Sequence, residues 1–324
     1  MADAREQTPA LDLAARTTRL RESLWRIVVT TVGSCIRHRV TGLAAEAAFF
    51  AVLSVPPLVF ALAGAVGFVS EQFTAAQLED VRNAVLEVSR QALTEDAVRK
   101  IIRPTIDEVL RGGRYDVISI GFVLALWSGS RALNVFVDTI TIMHGLGGHR
   151  GIVATRALSF LLYVLAMVTG AVSIPLVVAG PTLVDRLVPE RLDVLNSLYW
   201  PFVLVVCICF LATLYHVSVP VRTNWSFNLP GATFSLFCWV AGSYVLRWVL
   251  TVTAAQSKSI YGPLAAPIAV LLWLYLLAIA VLIGAAVNAA FDSVFPQKNT
   301  MRARIELVQR LRERVGERMG VRDS

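Results

Sequence analysis

The chain has 324 residues, of which 56% are hydrophobic and 16% charged, with a formal net charge of +7. A soluble domain carries about 25% charged residues, and a compact fold of this size cannot bury so large an apolar surplus. These values exclude an ordinary soluble globule and point to lipid as the solvent for much of the surface.

Residues 1–23 lack the apolar core of a secretory signal. The next stretch, LWRIVVTTVGSCI (24–36), is 13 residues long and is flanked by Arg21, Arg37 and Arg39. It is too short to cross about 30 Å of hydrocarbon, so it predicts a helix lying in the membrane interface. Six later segments are long enough to span: 47–69, 117–143, 157–180, 198–219, 229–254 and 264–291. Between the first two, Leu78, Val81, Val85 and Ala92, then Val98, Ile101, Ile102, Val109 and Leu110, recur at helical spacing. Residues 71–116 therefore predict two amphipathic helices, split near Thr94–Glu95 and with Pro104 in the second, capping the bundle. The end of the chain, RIELVQRLRERVGERMG, is a basic amphipathic helix suited to anionic headgroups or to solvent. The expected fold is all-α: a six-helix membrane domain (46–295) between an N-terminal segment (1–45) and a basic tail (296–324).

Charge orients this arrangement. Seven Arg against four acids precede Glu46, and eight Lys or Arg against four acids follow from Gln297. The loops holding His144, His149, Arg150 and Arg156, and then Arg222, fall on the same side when six spans alternate. The segment 71–116 has seven basic and nine acidic residues and falls on the other side with 181–197 and the short loop around Lys258. Positive charge accumulates cytoplasmically, so both termini are expected in the cytoplasm and the cap outside it.

Four stretches carry a resemblance: AAEAAFFAVLSVPPLVFAL (44–62), LWSGSRALNVFVDTITIMHGL (126–146), WSFNLPGATFSLFCWV (225–240) and YGPLAAPIAVLLWLYLLAIAVLIGAAVNAAF (261–291). In kind and order they resemble the YihY/BrkB family of bacterial inner-membrane proteins, early members of which were mislabelled as a ribonuclease. The resemblance implies six helices, cytoplasmic termini, no established enzymatic activity and envelope roles that include lipid handling. This chain has Phe49 and Phe50 where family members often have a Tyr pair, so a role for those hydroxyls does not carry over.

Polar residues inside spans are costly and mark cavities or partners. Trp127, Arg131, Asn134 and Asp138 are spaced four, three and four, so they form one helical stripe. Asn134 is placed to bond Asp138. Arg131 and Asp138 lie about 10 Å apart along the axis, too far for a direct pair. Ser128, Gly129 and Ser130 thin the helix and let a neighbour or a substrate approach its backbone. Glu46 enters the first span, either solvated at the interface or paired with Arg131, Arg37 or Arg39. Pro56 and Pro57 predict a kink or break in that span, leaving carbonyls that need a partner or a wet cavity. Arg131, Asn134, Asp138, Glu46, Ser128 and Ser130 are thus the candidate substrate-binding residues, against the plainer reading of a structural network between spans. Pro56, Pro57 and Gly129 are the candidate hinge positions.

In the sixth span, Gly284 belongs to a small-residue packing face and Asn288 is expected to bond another helix. Asp292, near the end, is expected to be wet. Arg247 is expected to snorkel, and His216 to be structural. Trp200, Trp225, Trp248, Tyr199, Tyr244 and Tyr261 read as an interfacial belt, while Trp273 and Tyr275 lie deeper.

No nucleotide, dinucleotide, nucleophile-elbow or metal-ligand motif is present. Cys35, Cys207, Cys209 and Cys238 read as small apolar residues. The reading is a non-enzymatic membrane protein without cofactor or metal, with lipids and an anionic amphipathic substrate as partners. Nucleic acid is not expected, because the cytoplasmic flanks account for the positive charge. The leading function is transport or translocation of that substrate. The rival is a membrane scaffold or envelope-integrity protein acting through partners, and homo-oligomerisation is left open.

Overall fold

The structure, a computed structural model, describes residues 7–68, 115–187, 193–256 and 262–320, with isolated positions between 79 and 107. These residues form eight α-helices and one short 3-10 turn: α1 (Gln7–Arg37), α2 (Val40–Phe68), α3 (Tyr115–Met143), α4 (Ile152–Leu187), α5 (Asp193–Ser218), the turn Trp225–Asn228, α6 (Leu229–Gln256), α7 (Gly262–Val294) and α8 (Lys298–Gly320). No strand occurs among the described residues. Each of the six expected spans coincides with one of α2 to α7. Helix is the form these apolar runs must take, because each segment satisfies its own backbone where water is absent.

Five helices carry stretches long and apolar enough to cross a membrane: Val40–Leu58, Ser119–Met143, Ile152–Gly170, Trp225–Val249 and Pro267–Val294. In α5 the apolar stretch found among the described residues is shorter, Val203–Ser218. Only 22% to 33% of each long stretch is buried inside the protein, so most of its apolar surface faces outward, as in a lipid-solvated bundle. The chain is a multi-pass membrane protein.

α3 and α7 organise the bundle. α3 packs most extensively on α2 and also meets α4, α5 and α7, while α7 meets α1, α2, α3 and α6. Val137, Ile140, Leu146, Tyr215 and Leu282 are wholly buried where these helices converge. α3 ends in a Schellman turn: the Leu146 N–H bonds the Thr141 carbonyl at 3.0 Å and the Gly145 N–H bonds Ile142 at 2.9 Å. This closure requires a left-handed residue, supplied by Gly145 at φ 71. It also fixes the direction of the neighbouring His144 carbonyl.

Two expectations about local structure change. The apolar stretch 24–36 belongs to a much longer helix of 31 residues, with the polar sequence before it continuing the turns. Thr31 and Ser34 of α1 are buried, whereas Leu24, Trp25, Val28, Val29, Val32 and Ile36 form an exposed apolar face. The double proline does not end the first span, since α2 continues through Pro56 and Pro57 to Phe68. Proline removes one N–H and displaces one carbonyl while leaving its neighbours helical, which a long apolar helix accommodates.

Of the expected cap, Glu79, Arg82, Asn83, Leu86, Arg103, Pro104 and Asp107 are helical. Arg82 reaches across 25 residues to Asp107, with Nε 2.7 Å from Oδ1, and Leu86 and Val98 are buried. The expected split near Thr94–Glu95 and the loop around Lys258 lie outside the described residues.

Candidate functional site

Arg131 stands midway along the Ser119–Met143 stretch, about 18 Å from either end. Its side chain is half-buried, and its guanidinium carbon lies 4.9 Å from the ring centre of Phe50 on α2. It forms no ion pair among the described residues. Of the stripe deduced from spacing, Arg131 and Asn134 are half-buried against neighbouring helices, whereas Trp127 and Asp138 are exposed. Asn134 accepts a bond from Ser159 of α4 at 3.5 Å rather than turning to Asp138, which is exposed. Ser128 is buried and donates to the Phe50 carbonyl at 3.0 Å, so it holds α3 against α2. Ser130 bonds the Trp127 carbonyl of its own helix at 2.9 Å. Glu46 is exposed and makes no ion pair among the described residues with Arg131, Arg37 or Arg39.

Gly129 admits a neighbour. A Cβ there would fall inside the ring of Tyr163 from α4. The Tyr163 hydroxyl is buried beside the α2–α3 contact, near Ser54 of α2, with no hydrogen-bond partner within 3.5 Å among the described residues. The sequence offered no signal for Tyr163 beyond an aromatic in an apolar run. The stripe, Phe50 and Tyr163 together make a polar seam where α2, α3 and α4 meet at mid-membrane depth.

A second polar centre lies at the end of the bundle that carries α8. Gly231 and Gly284 let α6 and α7 approach so closely that a Cβ on either glycine would meet backbone oxygen of the other. Asn288 closes this crossing: it accepts from the Gly231 N–H at 2.8 Å and donates to the Asn228 carbonyl at 3.2 Å. Gly284 and Asn288 thus both lie at the α6–α7 contact. One turn on, Asp292 departs from expectation. It is 5% exposed and pairs with Arg304 of α8 at 2.8 Å. Arg304 Nε also donates to the His144 carbonyl at 2.7 Å, across 160 residues. Thr300 and Ala303 are buried in the same place, so the start of α8 docks on the bundle, while Ile305, Glu306 and Val308 beyond it are exposed. Arg150, half-buried, donates to the Val217 carbonyl at 3.2 Å.

The His144 imidazole is buried, with Nδ1 2.9 Å from the Ile140 carbonyl. Burial holds its pKa below the ordinary histidine range, while the bond to Ile140 and the Asp292 charge oppose that and Arg304 reinforces it. The folded protein therefore binds fewer protons here than the unfolded chain. This contribution to stability is present above the unfolded value near 6.5 and is lost as pH falls through the lower folded value. Melting temperature in detergent should fall more steeply between about pH 7 and pH 5 in the parent than in His144→Asn. Equal slopes would remove His144 from the account.

A family model described as Virulence factor BrkB matches residues 31–306, from the last two turns of α1 into the docked part of α8. The chain belongs to the BrkB family. The match takes in both the mid-membrane seam and the α8 contact. A curated relative, the putative ribonuclease-like protein YfkH of Bacillus subtilis (strain 168), is 25% identical over 260 residues, covering 78% of this chain and 90% of its own length. No solved structure is a significant match.

Proposed function

We propose that this BrkB-family protein is a non-enzymatic translocator in the bacterial inner membrane, with both termini cytoplasmic. Its cargo is a lipid or another amphipathic anionic envelope substrate. One observation carries the reading: Arg131 sits at mid-membrane depth, half-buried, with an aromatic ring and, among the described residues, no carboxylate against it. A cation at that depth costs several kcal/mol unless water, a counter-ion or a ligand meets it. The Phe50 ring offsets about 1–2 kcal/mol of that. An anionic group moving along the α2–α3–α4 seam supplies the remainder. The orientation rests on the basic residues gathered at the α8 end.

A second reading, a scaffold that moves nothing, draws on a specific observation too. Ser128, Asn134 and Gly129 are committed to contacts with α2 and α4, as a purely structural network would require. The two readings separate in vesicles. Arg131→Ala should insert and fold like the parent but move a fluorescent anionic phospholipid between leaflets at least about tenfold more slowly, with Arg131→Lys intermediate. A parent that moves no lipid, or an alanine variant as fast as the parent, would leave the scaffold standing.

A further inference from the structure

A cleft of about 740 Å³ opens between the α5–α6 connection and the α7–α8 junction. Its polar wall includes Arg222, Thr223, Asn224, Gln297, Lys298 and Asn299, and among the described residues no acidic one lines it. Two bonds tie the walls together. The Asn224 N–H donates to Gln297 Oε1 at 3.1 Å, and Asn299 Nδ2 donates to the Arg222 carbonyl at 2.8 Å. These bonds leave both cationic heads free. Arg222 and Lys298 are exposed, and neither forms an ion pair among the described residues. The nearest carboxylate on α7, Asp292, is buried and already engaged by Arg304.

A second hollow, of about 390 Å³, is lined by Ser226, Pro230 and three phenylalanines, Phe227, Phe291 and Phe295. Phe227 and Phe295 line both spaces, so the polar cleft and the apolar one adjoin. The three rings form a continuous wall, with Phe291 6.0 Å from Phe227 and 5.1 Å from Phe295. The level of this junction in the membrane is fixed by the spans. One apolar stretch begins at Trp225, in the turn before α6, and that of α7 ends at Val294. The cationic cleft therefore lies just outside two span ends, and the phenylalanine hollow lies along them.

We infer that this two-part cleft is a binding site for an anionic glycerophospholipid of the leaflet on the α8 side. The phosphate sits between Arg222 and Lys298, the Thr223 hydroxyl and the amides line the polar headgroup space, and an acyl chain runs over Phe227, Phe291 and Phe295. A phosphate diester gives each cation a hydrogen-bonded counter-ion, and basic side chains at this depth favour anionic over zwitterionic lipid. A soluble phosphate would use the cleft but leave the rings exposed. The inference rests on the membrane assignment and the cleft, independently of whether the protein translocates anything.

The test uses the full chain in detergent, titrated with dioctanoyl phosphatidylglycerol, dioctanoyl phosphatidylcholine and glycerol phosphate, with retained lipid read by native mass spectrometry. The parent should prefer the anionic lipid. Arg222→Ala and Lys298→Ala should each weaken it about fivefold, and together about 25-fold, while the zwitterionic lipid, whose phosphate is offset by its own choline, weakens less. Phe295→Ser, at an exposed position, should weaken both lipids alike. The Arg222→Ala and Lys298→Ala losses should be the same in an Arg131→Ala background, which separates this site from the translocation seam. An unchanged anionic preference in the double variant would overturn the site. So would glycerol phosphate binding as tightly as the lipid, which would mark the cleft as a soluble-phosphate site.

Discussion

Gly284→Ala is expected to lower the melting temperature in detergent by at least about 5 °C. The new methyl would meet the Gly231 carbonyl oxygen at 2.5 Å and the Tyr215 hydroxyl at 2.7 Å, and would collide with Ser235 Oγ. A backbone oxygen in a packed helix cannot swing aside, so α6 and α7 must part. Overpacking of this kind costs about 1–3 kcal/mol. Parting the helices also strains the bonds that the wholly buried Tyr215 makes, to Ser235 Oγ at 2.6 Å and to the Val281 carbonyl at 2.8 Å. Each lost bond adds about 1 kcal/mol. Gly242→Ala is the control on the same helix pair. Its Cβ would come no closer than 3.9 Å, to Leu276, which is ordinary contact. There the gain in helix propensity, about 1 kcal/mol, should dominate. Opposite signs for two glycine-to-alanine changes in one helix pair separate packing from propensity. Similar effects at both sites would show that the Gly231–Gly284 crossing does not limit the α6–α7 approach.

That crossing could be anticipated because it is a local property. Gly284, Ala285, Ala286 and Ala289 declare a thin helix face whatever packs on it, and Asn288 on that helix needs a partner. The spans were readable for the same reason, since about 20 apolar residues in a row suffice to cross hydrocarbon. The stripe from Trp127 to Asp138 was equally plain from its spacing. What spacing could not supply was the other half of each contact. Asn134 meets Ser159 of α4, 25 residues away, rather than Asp138 one turn below. Gly129 yields to Tyr163, whose importance depends on where α4 packs. Asp292 looked wet because it lies near a span end. It is dry because α8 folds back over it, and the Arg304–His144 contact that anchors α8 joins residues 160 positions apart. A helical period carries information over a few turns. Pairings between helices are set by the tertiary arrangement.

That anchor gives the second large effect, and it should be asymmetric. The Asp292 side chain is 8% exposed and that of Arg304 is 32% exposed. Removing the arginine strands a carboxylate in the interior, the situation that makes breaking a buried pair cost about 3–5 kcal/mol. Removing the carboxylate leaves a cation that can turn partly toward water, so its loss is discounted by solvent screening. Arg304→Ala should therefore destabilise the protein more than Asp292→Ala does. It should also free α8: residues 298–320 should be cut by proteinase K at lower enzyme concentrations than in the parent. The pair is read by the double variant. With neither charge left to strand, Arg304→Ala/Asp292→Ala should be more stable than Arg304→Ala alone, a coupling of about 1–3 kcal/mol. The lost bond to the His144 carbonyl would remain as a smaller deficit common to both variants. A double variant as damaged as the sum of the singles would mean that the two side chains act separately, and α8 would then be held by Thr300 and Ala303 packing rather than by charge.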